Sequence, residues 1–155
     1  MNVYLIRHAH AGDRGSGPRD IDRPLSDKGS KRAKELATMF DGASVTRIAS
    51  SPATRCAQTV QPLAEALGLE IEETPTLWEG SSVEEVLAGL HAPGGGDLVA
   101  CTHGDIIPEL VERVAAEGAV ISGRGCEKGS VWVLERRDGA WVQARYVSKK
   151  STALV

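Results

Sequence analysis

The chain alternates short apolar, β-rich runs with segments of helical periodicity, and this alternation restricts its possible folds more than any other feature. NVYLIRH at 2–8 is typical of a buried strand, and LSDKGSKRAKELATMFDG at 25–42 is typical of an amphipathic helix capped by Ser26. Such an order implies a mostly parallel sheet with helices on both faces. We therefore expect an α/β fold, a three-layer α/β/α sandwich, with an antiparallel C-terminal hairpin turning at Asp138-Gly139. The other predicted strands span 45–51, 69–74, 98–102, 130–136 and 140–147, and the other helices span 52–68, 81–90 and 105–118.

The composition is that of an ordinary globular protein. The chain has 155 residues, 41% of them apolar and 25% charged, so we expect a single domain over 1–155. A net charge of −3 does not indicate the positively charged surface that binds a nucleic-acid polymer. Three scattered cysteines indicate reduced thiols, and no run suits a membrane helix or a signal peptide. These features favour a cytoplasmic protein and leave its oligomeric state open.

Polar side chains follow three of the predicted strands at their carboxyl ends. Arg7 and His8 end the first strand, and His103 directly follows the strand at 98–102. Ligands of open α/β sheets bind beyond the carboxyl ends of the strands. We therefore expect distant parts of the chain to converge on one rim. The expected group is Arg7, His8, Ser50, Ser51, Arg55, His103 and Gly104.

Two arginines and two histidines at one rim suit a phosphoryl group. Guanidinium groups match phosphate oxygens in pairs and stay charged at any working pH. The helix that begins near Arg55 adds free backbone N–H groups. Neighbouring positive charge favours neutral imidazoles, and a neutral imidazole nitrogen is a competent nucleophile towards phosphorus. One histidine then attacks, while the other and the arginines stabilise charge on the transferring oxygens.

Five motifs occur in order over nearly the whole chain: LIRHAHAG, RPLSDKG, ASSPATRCAQT, LWEG and CTHGD. Together they resemble the histidine phosphatase superfamily, the phosphoglycerate-mutase-like group. The compact length and the RPLS loop resemble its small SixA-type branch, which is associated with protein phosphohistidine. The segment KGSVWVLERRDG also resembles the phosphatase-like domain attached to a Nudix domain in some bacterial nucleotide hydrolases.

The resemblance implies a metal-independent phosphatase without a cofactor. His8 would accept the phosphoryl group, with Arg7, Arg55 and His103 holding its oxygens. Glu79, in LWEG, lies where the family often has its proton donor, a role worth roughly 10²–10⁴-fold in rate. The implied substrate is a phosphomonoester or a protein phosphohistidine, with a nucleotide or another small phosphorylated molecule as the alternative. The chain departs from the family pattern at Ala9, where the usual motif has glycine, and in the loop HAGDRG.

The sequence does not decide which acidic residue donates the proton. Asp13 or Asp105 could supply the proton instead of Glu79, because acidic residues in turns are common. A non-catalytic module that binds phosphate or a phosphoprotein is a further alternative, which would retain the arginines and the fold without turnover.

The roles of His10 and Arg23 are also open. His10 is either a wall of the pocket or a substrate contact, but HAH together with His103 also fits a three-histidine metal site. Arg23 either reaches the substrate from its loop or forms a salt bridge with Asp20 or Asp22.

Overall fold

The computed structural model describes residues 1–12 and 19–154, and all ten predicted helices and strands are present within them. No helix among the described residues has the length and apolar character needed to cross a bilayer. The helices are α1 (Asp27–Met39), α2 (Thr54–Leu67), α3 (Val83–Gly89) and α4 (Ile107–Ala116). The strands are β1 (Asn2–Arg7), β2 (Val45–Ser50), β3 (Ile71–Glu73), β4 (Asp97–Thr102), β5 (Val120–Ser122), β6 (Val131–Arg137) and β7 (Ala140–Val147).

The strands form one mixed sheet in the order β3-β2-β4-β1-β6-β7-β5. β6 runs antiparallel to both of its neighbours, β1 and β7, whereas the remaining neighbours pair in parallel. The expected α/β fold, with a mostly parallel sheet and an antiparallel C-terminal hairpin, is confirmed.

Strand β5 is absent from the sequence prediction. Its three residues lie between Gly118 and Gly123 and are all exposed. A segment this short shows no periodicity, and only its parallel pairing with β7 makes it a strand. β3 at the opposite edge is equally short. Short edge strands limit pairing with other molecules.

Strand β1 separates two hydrophobic cores. Val3 and Leu5 pack in one core, and Tyr4 and Ile6 pack in the other, because successive side chains of a strand point to opposite faces. Helices therefore cover both faces, as the three-layer prediction requires. The first core includes Val86, Ile107, Leu110 and Val114 of α3 and α4, and the second includes Leu36, Cys56, Val60 and Leu63 of α1 and α2.

Local sequence signals set the ends of several elements. The Ser26 hydroxyl accepts the backbone N–H of Gly29 at 3.2 Å, which caps α1 as predicted. The Ser82 hydroxyl caps α3 in the same way. Asp138 and Gly139 have positive φ angles of 51° and 80°, which is the conformation of the tight turns that join β-hairpins.

The first turn of α1 lies directly against the backbone that follows β1. The carbonyl of His10 accepts the N–H of Ser26 at 3.0 Å. A Cβ added to Gly29 would lie only 2.0 Å from the same carbonyl oxygen. The glycine of RPLSDKG therefore lets α1 hold the loop that leaves the first strand.

We expect Gly29→Ala to lower the free energy of unfolding by about 1–3 kcal/mol, the usual range for overpacking. The new methyl group would meet backbone atoms that have no room to move. Denaturant unfolding measures the effect, with Gly89→Ala as the matched control. A Cβ at this second helical glycine meets nothing within 4 Å, so it should be neutral or slightly stabilising. Equal losses in both variants would contradict the prediction.

Candidate active site

The carboxyl ends of β1, β2 and β4 lie side by side at one rim of the sheet. Arg7 is in register with Thr102, and Ser50 is in register with Cys101. The residues that follow these strands, His8, Ser51 and His103, consequently meet. Parallel pairing thus brings together chain positions that are about fifty residues apart.

The His8 imidazole is almost fully buried, with 5% exposure. Its Nδ1 lies 2.8 Å from the carbonyl oxygen of Ala9. A carbonyl only accepts hydrogen bonds, so Nδ1 carries the proton and Nε2 keeps a free lone pair. Burial lowers the pKa of His8 to about 3, with a smaller lowering from the charges of Arg55 and Arg7 and against an opposing effect of the Ala9 hydrogen bond. His8 is therefore a neutral imidazole at neutral pH.

Arg55, at the start of α2, has no exposure to solvent. Its Nη1 donates to the carbonyl oxygen of Asp20 at 2.8 Å, and its Nη2 donates to Glu79 Oε1 at 2.8 Å. The carboxylate of Asp20 lies 3.3 Å from Nη2, and the ring of Trp78 lies 5.8 Å from the guanidinium carbon. Two carboxylates and an aromatic ring thus compensate this buried charge.

Arg7 approaches the pocket from the end of β1. Its Nη1 donates to the carbonyl oxygen of Cys126 at 2.6 Å. A Cβ added to Gly104 would lie 2.6 Å from the guanidinium carbon of Arg7. The glycine of CTHGD therefore provides the space that this side chain occupies.

His103 is held on both sides of its ring. Its Nε2 lies 2.8 Å from the Ser51 hydroxyl, and its Nδ1 lies 3.4 Å from Glu79 Oε1. Arg55 Nη2 also lies 3.5 Å from this Nδ1, so the carboxylate and the guanidinium group both flank the same ring nitrogen. The Trp78 ring meets His103 edge to face at 5.2 Å, and the His8 ring does so at 5.5 Å.

These side chains surround a pocket of about 240 Å³ lined by Arg7, His8, Glu79, His103, Gly104 and Asp105. The Nε atoms of Arg7 and Arg55 are buried and have no hydrogen-bond partner among the described residues. Buried donors of this kind are normally satisfied. A phosphoryl group supplies several charged acceptor oxygens that match guanidinium donors.

His10 lies outside this cluster. It is exposed, and its Nδ1 lies 2.7 Å from the Ser26 hydroxyl. Over residues 1–12 and 19–154, no three His, Cys, Asp or Glu side chains are arranged to hold a metal ion. The three-histidine arrangement that the sequence allowed is therefore not formed.

Arg23 forms the salt bridge with Asp20 that was one of its two predicted roles, and its contact with a substrate stays a prediction. Its side chain is buried, lies 3.2 Å from the carboxylate of Asp20, and donates to the carbonyl of Gly12. Asp22 pairs instead with Arg19, at 2.9 Å. Arg23 also lines a second pocket, which continues from Arg7 and His8.

The three candidate acids differ in their placement. Glu79 contacts Arg55 and His103 and lines the pocket. Asp105 lines the same pocket, but it is exposed and its carboxylate accepts the backbone N–H of Gly80 at 2.9 Å. Asp13 lies outside the described residues.

Two residues contribute to the site in ways that the sequence did not indicate. Trp78 contacts both Arg55 and His103, and Asp20 neutralises Arg55 as well as Arg23. A tryptophan beside an acid and an aspartate in a turn-rich loop are common in sequences. Only the folded chain shows that they contact the cluster.

The motifs of the chain match one family of known proteins. The sequence model of the histidine phosphatase superfamily (branch 1) matches residues 3–85. The 8-oxo-(d)GTP phosphatase of Mycolicibacterium smegmatis is 34% identical over 153 residues, covering 94% of the chain and 48% of the relative. The chain thus spans about half the length of that relative. The phosphohistidine phosphatase SixA homolog of Haemophilus influenzae is 28% identical over 137 residues, which cover 79% of the chain and 82% of the relative.

A solved structure shares the fold. The protein histidine phosphatase SixA complexed with tungstate aligns with a TM-score of 0.76, covering 96% of this chain and 97% of that chain at 22% identity. The family model spans over half of the chain, in agreement with the motifs around His8, Arg55 and Glu79. The predicted resemblance is confirmed: this chain belongs to the histidine phosphatase superfamily.

Proposed function

We propose that this protein is a metal-independent phosphatase that transfers a phosphoryl group to His8 and then hydrolyses the phosphohistidine. One observation supports this proposal above all others. The hydrogen bond to Ala9 leaves Nε2 of His8 with a free lone pair, in a pocket lined by Arg7 and His103. Guanidinium groups at the rim repel a metal cation but attract a phosphoryl dianion.

In the first step, Nε2 of His8 attacks phosphorus, and the bond from phosphorus to the leaving group breaks. Arg7, Arg55 and His103 stabilise charge on the transferring oxygens. Glu79 protonates the leaving group as it departs.

In the second step, a water molecule attacks the phosphorus of phosphohistidine. The Glu79 carboxylate takes the proton that the water loses, the P–N bond breaks, and inorganic phosphate leaves. His8 thereby returns to its neutral form and Glu79 to its acid form. Atoms and protons balance over the cycle, with Glu79 in both roles.

The substrate class that we propose is a phosphomonoester or a protein phosphohistidine. The SixA homolog is named for phosphohistidine, whereas the 8-oxo-(d)GTP phosphatase is named for a nucleotide. A nucleotide or small-molecule phosphatase of the same mechanism is the alternative. Glu79 lies in the pocket beside His103, which favours a catalyst over a module that only binds phosphate.

Hydrolysis of p-nitrophenyl phosphate with excess chelator tests the reaction class. We expect the wild type to remain active, since the proposed steps use only side chains of the protein, with the arginines supplying the positive charge. We expect His8→Ala to lose the activity, because the variant lacks the imidazole lone pair that attacks phosphorus in the proposed first step. Loss of wild-type activity on chelation would contradict metal independence. Full activity of His8→Ala would contradict the proposed nucleophile.

The proton donor can be separated from the other acids by the choice of leaving group. We expect Glu79→Gln to lower kcat/KM for an alkyl phosphate by roughly 10²-fold. The loss for p-nitrophenyl phosphate should be smaller, because nitrophenolate leaves without a proton. Asp105→Asn is the matched control and should retain activity towards both substrates. A larger, leaving-group-dependent loss in Asp105→Asn or Asp13→Asn would transfer the role to that residue.

The neutral state of His8 has a consequence for stability. In the unfolded chain the histidine binds a proton below about 6.5, whereas in the folded protein it does so only near pH 3. The unfolded state therefore binds more protons between these values. The stability that His8 contributes is complete above pH 6.5 and is lost as the pH falls towards 3.

We expect His8→Asn to flatten the decline of unfolding free energy between pH 6.5 and 4 by up to about 1.4 kcal/mol per pH unit. Urea unfolding at a series of pH values measures this slope. His91→Asn, at an exposed histidine, should leave the slope unchanged. An unchanged slope in His8→Asn would mean that His8 binds its proton equally in both states.

A further inference from the structure

A groove rich in lysine continues from the active site along the protein surface. The pocket of about 320 Å³ that contains Arg7 and His8 also contains His10 and Lys128. These last two residues line a further pocket of about 310 Å³. Its other lysines come from the start of α1 and from the C-terminal segment. We call Lys28, Lys31, Lys128, Lys149 and Lys150 the lysine groove.

The concentration of lysine in this groove is not a consequence of composition. The chain has only six lysines, at 28, 31, 34, 128, 149 and 150, and its net charge is −3. Five of the six line the groove. Among the described residues that line this pocket, the one carboxylate, Glu35, already pairs with Arg32 at 3.1 Å.

Three of these charges, those of Lys28, Lys31 and Lys150, have no ion-pair partner in the described part of the chain. Among the described residues, no carboxylate lies within ion-pair distance of Lys28, Lys31 or Lys150, whereas Lys149 lies 3.7 Å from Glu127. Lys28 is the second residue of α1, where the helix dipole favours anions and disfavours cations. Like charges brought together also destabilise a folded protein. The groove therefore fits a binding role better than a stabilising one.

The chemistry of the lining indicates the kind of anion. No Phe, Tyr or Trp lines either pocket, so a nucleobase would have no aromatic ring on which to stack. Compact oligophosphates are typically held by arginine pairs and clusters of backbone N–H groups, whereas Arg32 of this pocket already contacts Glu35 and the carbonyl oxygens of Gly129 and Ser151. Lysines on flexible stems from three parts of the chain suit carboxylates spread along an extended polypeptide.

We propose that the lysine groove binds acidic residues that flank the phosphorylated residue of a protein substrate. This inference rests on the proposed function, since it concerns what lies beside the phosphoryl group held at His8. Attraction between opposite charges would bring the substrate to the pocket and select acidic partners over neutral ones. The contribution should weaken as salt is added.

Binding is best measured in the inactive His8→Ala background by fluorescence anisotropy. The probes are two labelled phosphoserine peptides, one with three glutamates on each side of the phosphoserine and one with glutamines. We expect the glutamate peptide to bind about tenfold more tightly at low salt. Lys31→Glu should remove most of this preference. Lys34→Glu, at the exposed lysine of α1 that does not line the groove, should preserve it.

Equal affinity for the two peptides would overturn the proposal, as would an equal loss in Lys31→Glu and Lys34→Glu. Inorganic tripolyphosphate is the probe for the alternative occupant of the groove, a compact oligophosphate. If it binds in a manner sensitive to Lys31→Glu while the two peptides bind alike, the groove holds oligophosphate and the proposal is wrong. Hydrolysis of p-nitrophenyl phosphate by the wild type is measured in a separate assay, so that a failure of the phosphatase proposal is distinguished from a failure of the peptide-binding proposal. Its absence would contradict the phosphatase proposal and leave the peptide comparison intact.

Discussion

Arg55 is a positive charge with no contact with water, and the other groups of the site are arranged around it. A buried charge is tolerated only where opposite charges and hydrogen bonds replace its solvent. Here the replacement comes from Asp20 and Glu79, and the ring of Trp78 lies against the guanidinium group. These partners belong to two separate segments, so the charge of Arg55 fixes the loop before α1 and the turn before α3 at the same pocket. In the proposed mechanism, this arrangement holds positive charge in place before the substrate binds, which is the condition for effective electrostatic stabilisation.

The two histidines show how surroundings give one residue type two roles. His8 donates from Nδ1 to a carbonyl, so its Nε2 keeps a lone pair, and burial keeps the ring neutral. His103 lies between the Ser51 hydroxyl at its Nε2 and the Glu79 carboxylate and Arg55 guanidinium group at its Nδ1. The first histidine is suited to attack and the second to stabilise charge. Their rings are only 5.5 Å apart, so the difference comes from hydrogen-bond partners and not from location.

Much of the site follows from the sequence, because each of its central residues lies at the carboxyl end of a strand, directly after it, or at the start of a helix. Arg7, His8 and His103 are of this kind, and the parallel sheet that brings them together is itself implied by the alternation of strands and helices. Asp20 and Trp78 are different, since they reach the site through the course of a loop and the rotation of a side chain. The three-residue strand β5 was missed for a related reason: its conformation comes from pairing with β7 and not from its own residues.

The sequence alone determined the fold class, the edge of the sheet where the site lies, and the family, because these depend on periodicity and on motifs that are local in the chain. Only the tertiary structure decided which nitrogen of His8 is free, which carboxylates compensate Arg55, and that His10 turns towards Ser26. It also brought five lysines from three segments into one groove. Hydrogen-bond direction, burial and the convergence of like charges depend on distances between residues far apart in the chain, and periodicity does not encode those distances.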